Sequence, residues 1–140
     1  MRSIRRLCDL MTVVIDAGTT FSALTVGGRH EQWSRGILEG GDLIAPELLA
    51  LEVAQIARRA VVRVELRHQV ARKVVSYARE LIDLVPHAPL LPRVWALRDN
   101  VTSYDAAYVA VAELWGAPLA TLDTRLRHST GPRCDFLSPD

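Results

Sequence analysis

SYDAAYVAVAELWGAPLATLD, residues 103–123, reads as a helix, a stop and a strand. After its first turn the segment to Trp115 is almost entirely apolar, so no face is left for water and the pattern predicts a helix buried all round. Gly116 stands where such a helix ends most easily, at the C-cap position that favours glycine. PLATLD, 118–123, then reads as a strand that finishes on an acid, Asp123. A buried helix feeding a buried strand is half of a parallel α/β unit.

Working outward, TVVI at 12–15 is a short β-branched run and reads as a buried strand closed by Asp16. AGTTFSAL follows as a helix, with Asp16 or Thr19 as its N-cap. Residues 30–39 read as a short helix whose apolar side carries Trp33, Ile37 and Leu38; Gly40 and Gly41 stop it, and 43–45 form the next strand. Pro46 is expected to open a helix that runs to about Arg63, with another from about Glu65 to Leu84. A third short strand at 85–88 is limited by Pro86, and a helix covers about 90–98. TRLRHS is read as a helical turn and CDFLS as a final edge strand. Strands alternating with helices imply a parallel sheet with right-handed crossovers, an α/β sandwich.

Bulk properties narrow the class. At 140 residues, 49% hydrophobic and 24% charged, the chain is an ordinary folded protein of one domain, 11–140, without repeat or linker. No apolar run approaches the ~20 residues that cross a bilayer, and the apolar stretch after the basic start is too short for a signal peptide. No membrane association is expected, and the default location is the cytoplasm. Cys8 and Cys134 give no disulfide framework, and His30, His68, His87 and His128 lack ligand spacing, so a zinc site is not expected.

Net charge is only +1, but residues 58–79 hold Arg58, Arg59, Arg63, Arg67, Arg72, Lys73 and Arg79 against Glu65 alone, a local +6 that leaves −5 elsewhere. Such a face can neutralise phosphates, and it can equally be a solvated helix surface. Sixteen of the 17 basic residues are arginine, which fits a GC-rich genome as well as RNA contact.

Four acids carry the chemistry. Asp16 and Asp123 each end a strand, and in open parallel sheets sites form beyond the carboxyl ends of the strands. Each also suits a helix N-cap. Glu52 shares a helical stripe with Leu48, Ile56 and Ala60, so a carboxylate sits in an apolar row and needs a positive partner, a cation or an arginine. Asp105 follows Thr102 at capping-box spacing, yet lies on the stripe of Tyr108, Val109 and Ala112, which points it inward. Carboxylates gathered at one edge repel unless a cation intervenes, and all-oxygen ligands favour Mg²⁺ or Mn²⁺. Such an ion activates water against a phosphodiester, with the basic segment holding backbone phosphates. The substrate-binding candidates are Arg58, Arg59, Arg63 and Thr102.

At these residues the chain resembles the PIN domains, and among them the VapC toxins of type II toxin–antitoxin systems. The matching pieces are VVIDA with Asp16, LLALEVAQIARR with Glu52, TSYDAAYVAVAE with Asp105 and GAPLATLDTRL with Asp123. The resemblance implies a three-layer α/β/α sandwich around a mainly parallel sheet and a Mg²⁺-dependent endoribonuclease. It also implies a homodimer and a VapB-type antitoxin that blocks the acidic site. Asp16 and Asp105 would be the principal metal ligands. Glu52 would complete the site or orient the attacking water, and Asp123 would bind a second metal or its waters. Trp33, Trp95 and Trp115 suit a dimer or antitoxin interface, although core packing is the commoner role, above all for Trp115.

Two departures stand out. Gly18 occupies a place where many relatives carry serine, leaving Thr19 or Thr20 to supply a hydroxyl. Residues 1–10 read as a leader outside the native start, with Arg2, Arg5, Arg6 and Cys8 then without function. Rival readings fare worse. An aspartyl-phosphate phosphatase needs a second Asp where Gly18 stands, and a receiver domain needs a late lysine where Lys73 is the only one. The remaining alternative is a catalytically silent RNA- or partner-binding module on the same fold.

Overall fold

The computed structural model describes residues 11–140; the expected leader 1–10 lies outside the described residues. Thr12–Ile15 form strand β1, Asp42–Pro46 β2, Asp83–Val85 β3, Leu119–Ala120 β4 and Phe136–Leu137 β5. They make one sheet in the order β3-β2-β1-β4-β5, every neighbour parallel. Seven α-helices join them: α1 Ala17–Leu24, α2 Glu31–Glu39, α3 Leu48–Val62, α4 His68–Leu81, α5 Leu91–Ala96, α6 Ser103–Trp115 and α7 Thr124–Arg127. Helices α1 to α4 pack on one another, whereas α5 packs on α6 and α6 on β1 and β2. The result is a three-layer α/β/α sandwich.

β1 sits mid-sheet, and the chain leaves it toward β2 but returns past it to β4. The strand order therefore reverses between β1 and β4, and the crevice at their carboxyl ends is where such sheets bind ligands. Asp16 and Asp123 follow those two strands.

The core explains why α6 is apolar all round. Ala106 through Ala112 are all buried, and its alanines let the sheet and α5 approach closely around Tyr108, Val109 and Val111. Gly116 takes the left-handed conformation (φ 59°) and Ala117 returns its N–H to Ala112 O at 2.9 Å, which closes the helix as its sequence suggests.

Several boundaries differ from the sequence reading. Pro46 does not open α3; it ends β2, paired with Val85, and Glu47 still donates to Val85 O at 2.9 Å. Proline tolerates this position because a strand end asks little of its missing N–H. The helix begins two residues later, where His87 Nε2 accepts from the Leu48 N–H at 2.9 Å. α4 stops at Leu81, and β3 occupies 83–85, because pairing with Ile44–Pro46 draws Asp83–Val85 into the sheet. The segment expected as one helix over 90–98 is a 3-10 turn, Ala88–Leu90, followed by α5. PLATLD contributes only Leu119–Ala120 to β4, since Thr121 and Asp123 turn away into the site. CDFLS contributes only Phe136–Leu137. Of the tryptophans weighed between core and interface, Trp115 is 50% exposed and Trp95 68% exposed, and Trp33 alone packs against the core.

Candidate active site

Asp16 stands at the hinge between β1 and α1. One carboxylate oxygen, Oδ1, accepts from the Thr19 N–H at 2.9 Å as the helix N-cap; the other, Oδ2, accepts from the Thr121 hydroxyl at 2.5 Å. The register of β1 against β4 pairs Ile15 with Ala120, which brings the next residues, Asp16 and Thr121, opposite each other. Burial lifts the Asp16 carboxyl above the ordinary range; the bonds from Thr121 and Thr19 oppose this, and the charge of Asp123 adds to the rise. Cap and site roles thus coexist in one side chain, because each oxygen serves one of them.

Glu52 lies one turn into α3, half-buried, and Oε1 accepts from the Tyr108 hydroxyl at 2.7 Å. The alternative of an arginine partner is not realised: among the described residues no salt bridge reaches Glu52. Burial raises its carboxyl, the Tyr108 bond works against that, and Asp105 and Asp16 push it further up. The Tyr108 phenol is raised in turn, first by burial and then by the bond to Glu52.

Asp105 occupies the first turn of α6, whose N-cap Thr102 accepts from the Asp105 N–H at 3.1 Å. Its carboxyl is raised by burial and by Asp123, lowered by Thr102, raised by Asp16 and lowered by Arg125. Asp123 is exposed and caps α7, Oδ1 accepting from the N–H groups of Arg125 at 2.9 Å and Leu126 at 3.2 Å.

Asp16 therefore shares its field with Asp123, Glu52 and Asp105, and Asp105 with Asp123 and Glu52, at the carboxyl edge of the sheet. They do not form a closed cage: among the described residues no three His, Cys, Asp or Glu side chains stand together closely enough to hold an ion as they are. A donor set of oxygens alone would suit a hard cation that keeps several of its waters and is held by one or two carboxylates plus a substrate phosphate. It would not suit zinc, which wants four close ligands.

Of the expected substrate contacts, Thr102 lines the cleft that holds Asp105 and Asp123. Arg58 lines a different groove, between α3 and α4, with Ala57, Val61, Arg72 and Arg79. Arg59 lies about 10 Å beyond Glu52 along the helix axis at 1.5 Å per residue, and Arg63 follows as the C-cap of α3. The guanidinium whose charge acts on Asp105 belongs to Arg125. Sequence reasoning missed Thr121, Arg98, Arg125 and the Tyr108 hydroxyl as parts of this site. Only Tyr108 carried a signal, since a phenol placed in a buried helix needs a polar partner. Thr19 and Thr20, considered for a hydroxyl near Gly18, donate theirs to the carbonyls of Ala120 (3.4 Å) and Asp16 (2.8 Å).

An all-parallel sandwich with carboxylates gathered at its switch point defines a class of acidic α/β domains. The family model of the PIN domain matches residues 13–131. Ribonuclease VapC1 of Mycobacterium tuberculosis is 40% identical over 125 residues, 88% of this chain and 94% of that protein. Ribonuclease VapC9 of the same organism is 32% identical over 123 residues, 87% of this chain and 94% of that protein. Among solved structures, VapBC2 from Rickettsia felis, bound to a DNA fragment from their promoter, aligns with a TM-score of 0.67 at 9% identity. That match covers 91% of this chain and 98% of that one, and it bears on fold alone. The chain belongs to the PIN-domain family, within it to the VapC ribonucleases.

Proposed function

We propose that the protein is a Mg²⁺-dependent endoribonuclease, the toxin of a type II toxin–antitoxin module, with Mn²⁺ able to substitute. The observation that carries this is Asp16, partly buried at the switch point, held by two donors and sharing its field with Asp123, Glu52 and Asp105. Asp16 and Asp105 would hold the ion, with Asp123 binding its waters or a second ion. When bound, the ion acidifies water and offsets the charge that develops on the phosphodiester. The Thr121 hydroxyl and the Thr19 N–H keep the Asp16 carboxylate fixed in orientation. Glu52, held through Oε1 by Tyr108, keeps Oε2 for orienting the attacking water and accepting its proton.

The names of the relatives support RNA as substrate and a VapB-type antitoxin as partner. A second copy is the expected neighbour for the apolar surface of Leu91, Trp95, Leu114 and Trp115, all exposed. They belong to α5 and α6, the two helices that the Arg93–Glu113 bond joins. Among the described residues no helix is long and apolar enough to cross a membrane.

The test is cleavage of total cellular RNA by the purified protein with Mg²⁺ or Mn²⁺, with EDTA, and beside Asp16→Asn and Asp105→Asn. Discrete fragments that require metal and vanish in both variants are expected. Absence of cleavage with RNA still bound would move the protein to the silent binding module.

A further inference from the structure

The basic residues best placed to hold the substrate are not in the positively charged segment 58–79. A cleft of about 580 Å³ contains Asp105, Asp123 and Thr102, and the same cleft is lined by Arg98, Asn100 and Arg125. Its size is that of pockets which take nucleotide-sized ligands. Its lining carries both signs of charge, three carboxylates (Asp99, Asp105 and Asp123) and two guanidinium groups.

Neither guanidinium is committed to an acid: among the described residues the salt bridges are Arg35 with Glu31 and Arg93 with Glu113. Arg98 is nevertheless held in place. Its guanidinium lies 4.9 Å from the centroid of the Trp95 ring, and Nη1 donates to the Trp95 carbonyl at 3.0 Å. A stacked guanidinium with one N–H used keeps its remaining donors for a planar or tetrahedral oxyanion. Arg125 is fixed at its backbone, where its N–H caps onto Asp123 Oδ1, while its side chain is exposed in the cleft. One residue thus joins the acidic and the basic parts of the cleft.

We infer that Arg98 and Arg125 form a subsite for an RNA backbone phosphate next to the scissile one, so that the strand crosses the cleft from the carboxylates to the guanidinium pair. This rests on the ribonuclease reading above. The two signs of charge then act on different phosphates. The acids take the cation and the reacting phosphate, and the arginines take a neighbouring phosphate that is not reacting. Such a contact is the same in ground and transition states, so its loss should raise KM and leave kcat in place.

Binding is measured with the Asp16→Asn protein, which is expected not to cleave, and a fluorescein-labelled single-stranded oligoribonucleotide over a range of salt concentrations. Arg125→Ala and Arg98→Ala are expected to weaken binding about tenfold each. Each should also lower the slope of log K against log salt by about 0.7, the loss of one phosphate contact on a single strand. Arg125→Lys, which keeps the charge, is expected to retain most of the slope. Arg35→Ala, which removes one positive charge from α2, serves as the charge-matched control and should leave affinity and slope close to those of the parent. Unchanged slopes in the Arg98 and Arg125 variants would overturn the inference, as would failure of the parent to bind. So would an equal loss in Arg58→Ala, which would place the phosphates in the α3–α4 groove. The two readings separate cleanly. Wild-type protein that cleaves while the arginine variants keep its KM sinks the subsite alone. Loss of binding in those variants, from a wild type that never cleaves, sinks the nuclease reading alone.

Discussion

Thr121 and Tyr108 each present one hydroxyl to one carboxylate, Thr121 to Asp16 and Tyr108 to Glu52, and both hydroxyls come from elements distant in sequence. Their roles can be separated from packing by near-isosteric changes. Thr121→Val keeps the shape but removes the donor that orients Asp16, so affinity for the divalent ion should fall roughly tenfold or more. Titration of Mn²⁺ binding by electron paramagnetic resonance checks this; an unchanged affinity would mean that the Thr19 N–H orients Asp16 unaided. Tyr108→Phe leaves the ring in the core and releases Glu52. It should cost about 1 kcal/mol in denaturant unfolding and lower kcat about tenfold at an unchanged KM. A loss of stability without a loss of kcat would assign Tyr108 to packing. Asp16 and Asp123 illustrate why single residues are ambiguous in the sequence. Both cap helices and both lie at the site, so a local pattern that identifies caps cannot separate the two roles.

Turns between elements hold two further consequences. The α3–α4 connection passes through Val64, a β-branched residue at φ 58° and 90% exposed, at the position after the helix C-cap where glycine is usual. The left-handed conformation costs an L-residue on the order of 1–2 kcal/mol, so Val64→Gly should stabilise the protein by about 1 kcal/mol in thermal unfolding. No gain would show that the apolar side chain has a compensating contact. On the other side of the sheet, Glu113 of α6 accepts from Arg93 Nε at 2.7 Å and Nη2 at 3.1 Å and from the Arg133 N–H at 2.9 Å. Burial pushes the Glu113 carboxyl up, but the bonds from Arg93 and Arg133 outweigh it and the group ends below its ordinary 4.5. A carboxyl lowered by folding stabilises above its unfolded value and loses that contribution as pH falls through the folded one. Glu113→Gln should therefore cost roughly 1–2 kcal/mol near neutral pH and nothing in strong acid. Parallel pH–stability curves for the two proteins would count against the pairing.

For the molecule as a whole, the acidic edge is a source of instability that the proposed cation would relieve. Asp16, Glu52 and Asp105 are partly buried and repel one another, so Mg²⁺ at a hundredfold excess over its Kd should stabilise the fold by about 2.7 kcal/mol. Asp105→Asn should melt higher than wild type in EDTA and gain less from Mg²⁺; scanning calorimetry in both buffers reads this out, and equal gains would remove Asp105 from the metal site. Much of the layout was legible beforehand, because it depends on local rules. β-branched TVVI, the all-apolar Ala106–Ala112 and the stop at Gly116 follow from which side chains can face water and which backbone tolerates φ > 0. The order of strands and helices and the parallel sheet follow from these. Tertiary structure alone decided which strands are neighbours, and therefore that Thr121 meets Asp16 and that Arg98 and Arg125, rather than the arginine-rich stretch from Arg58 to Arg79, share a cleft with Asp105. Charge density along a chain is a one-dimensional property, whereas a site is made by register and crossover, which bring residues a hundred positions apart within hydrogen-bonding distance.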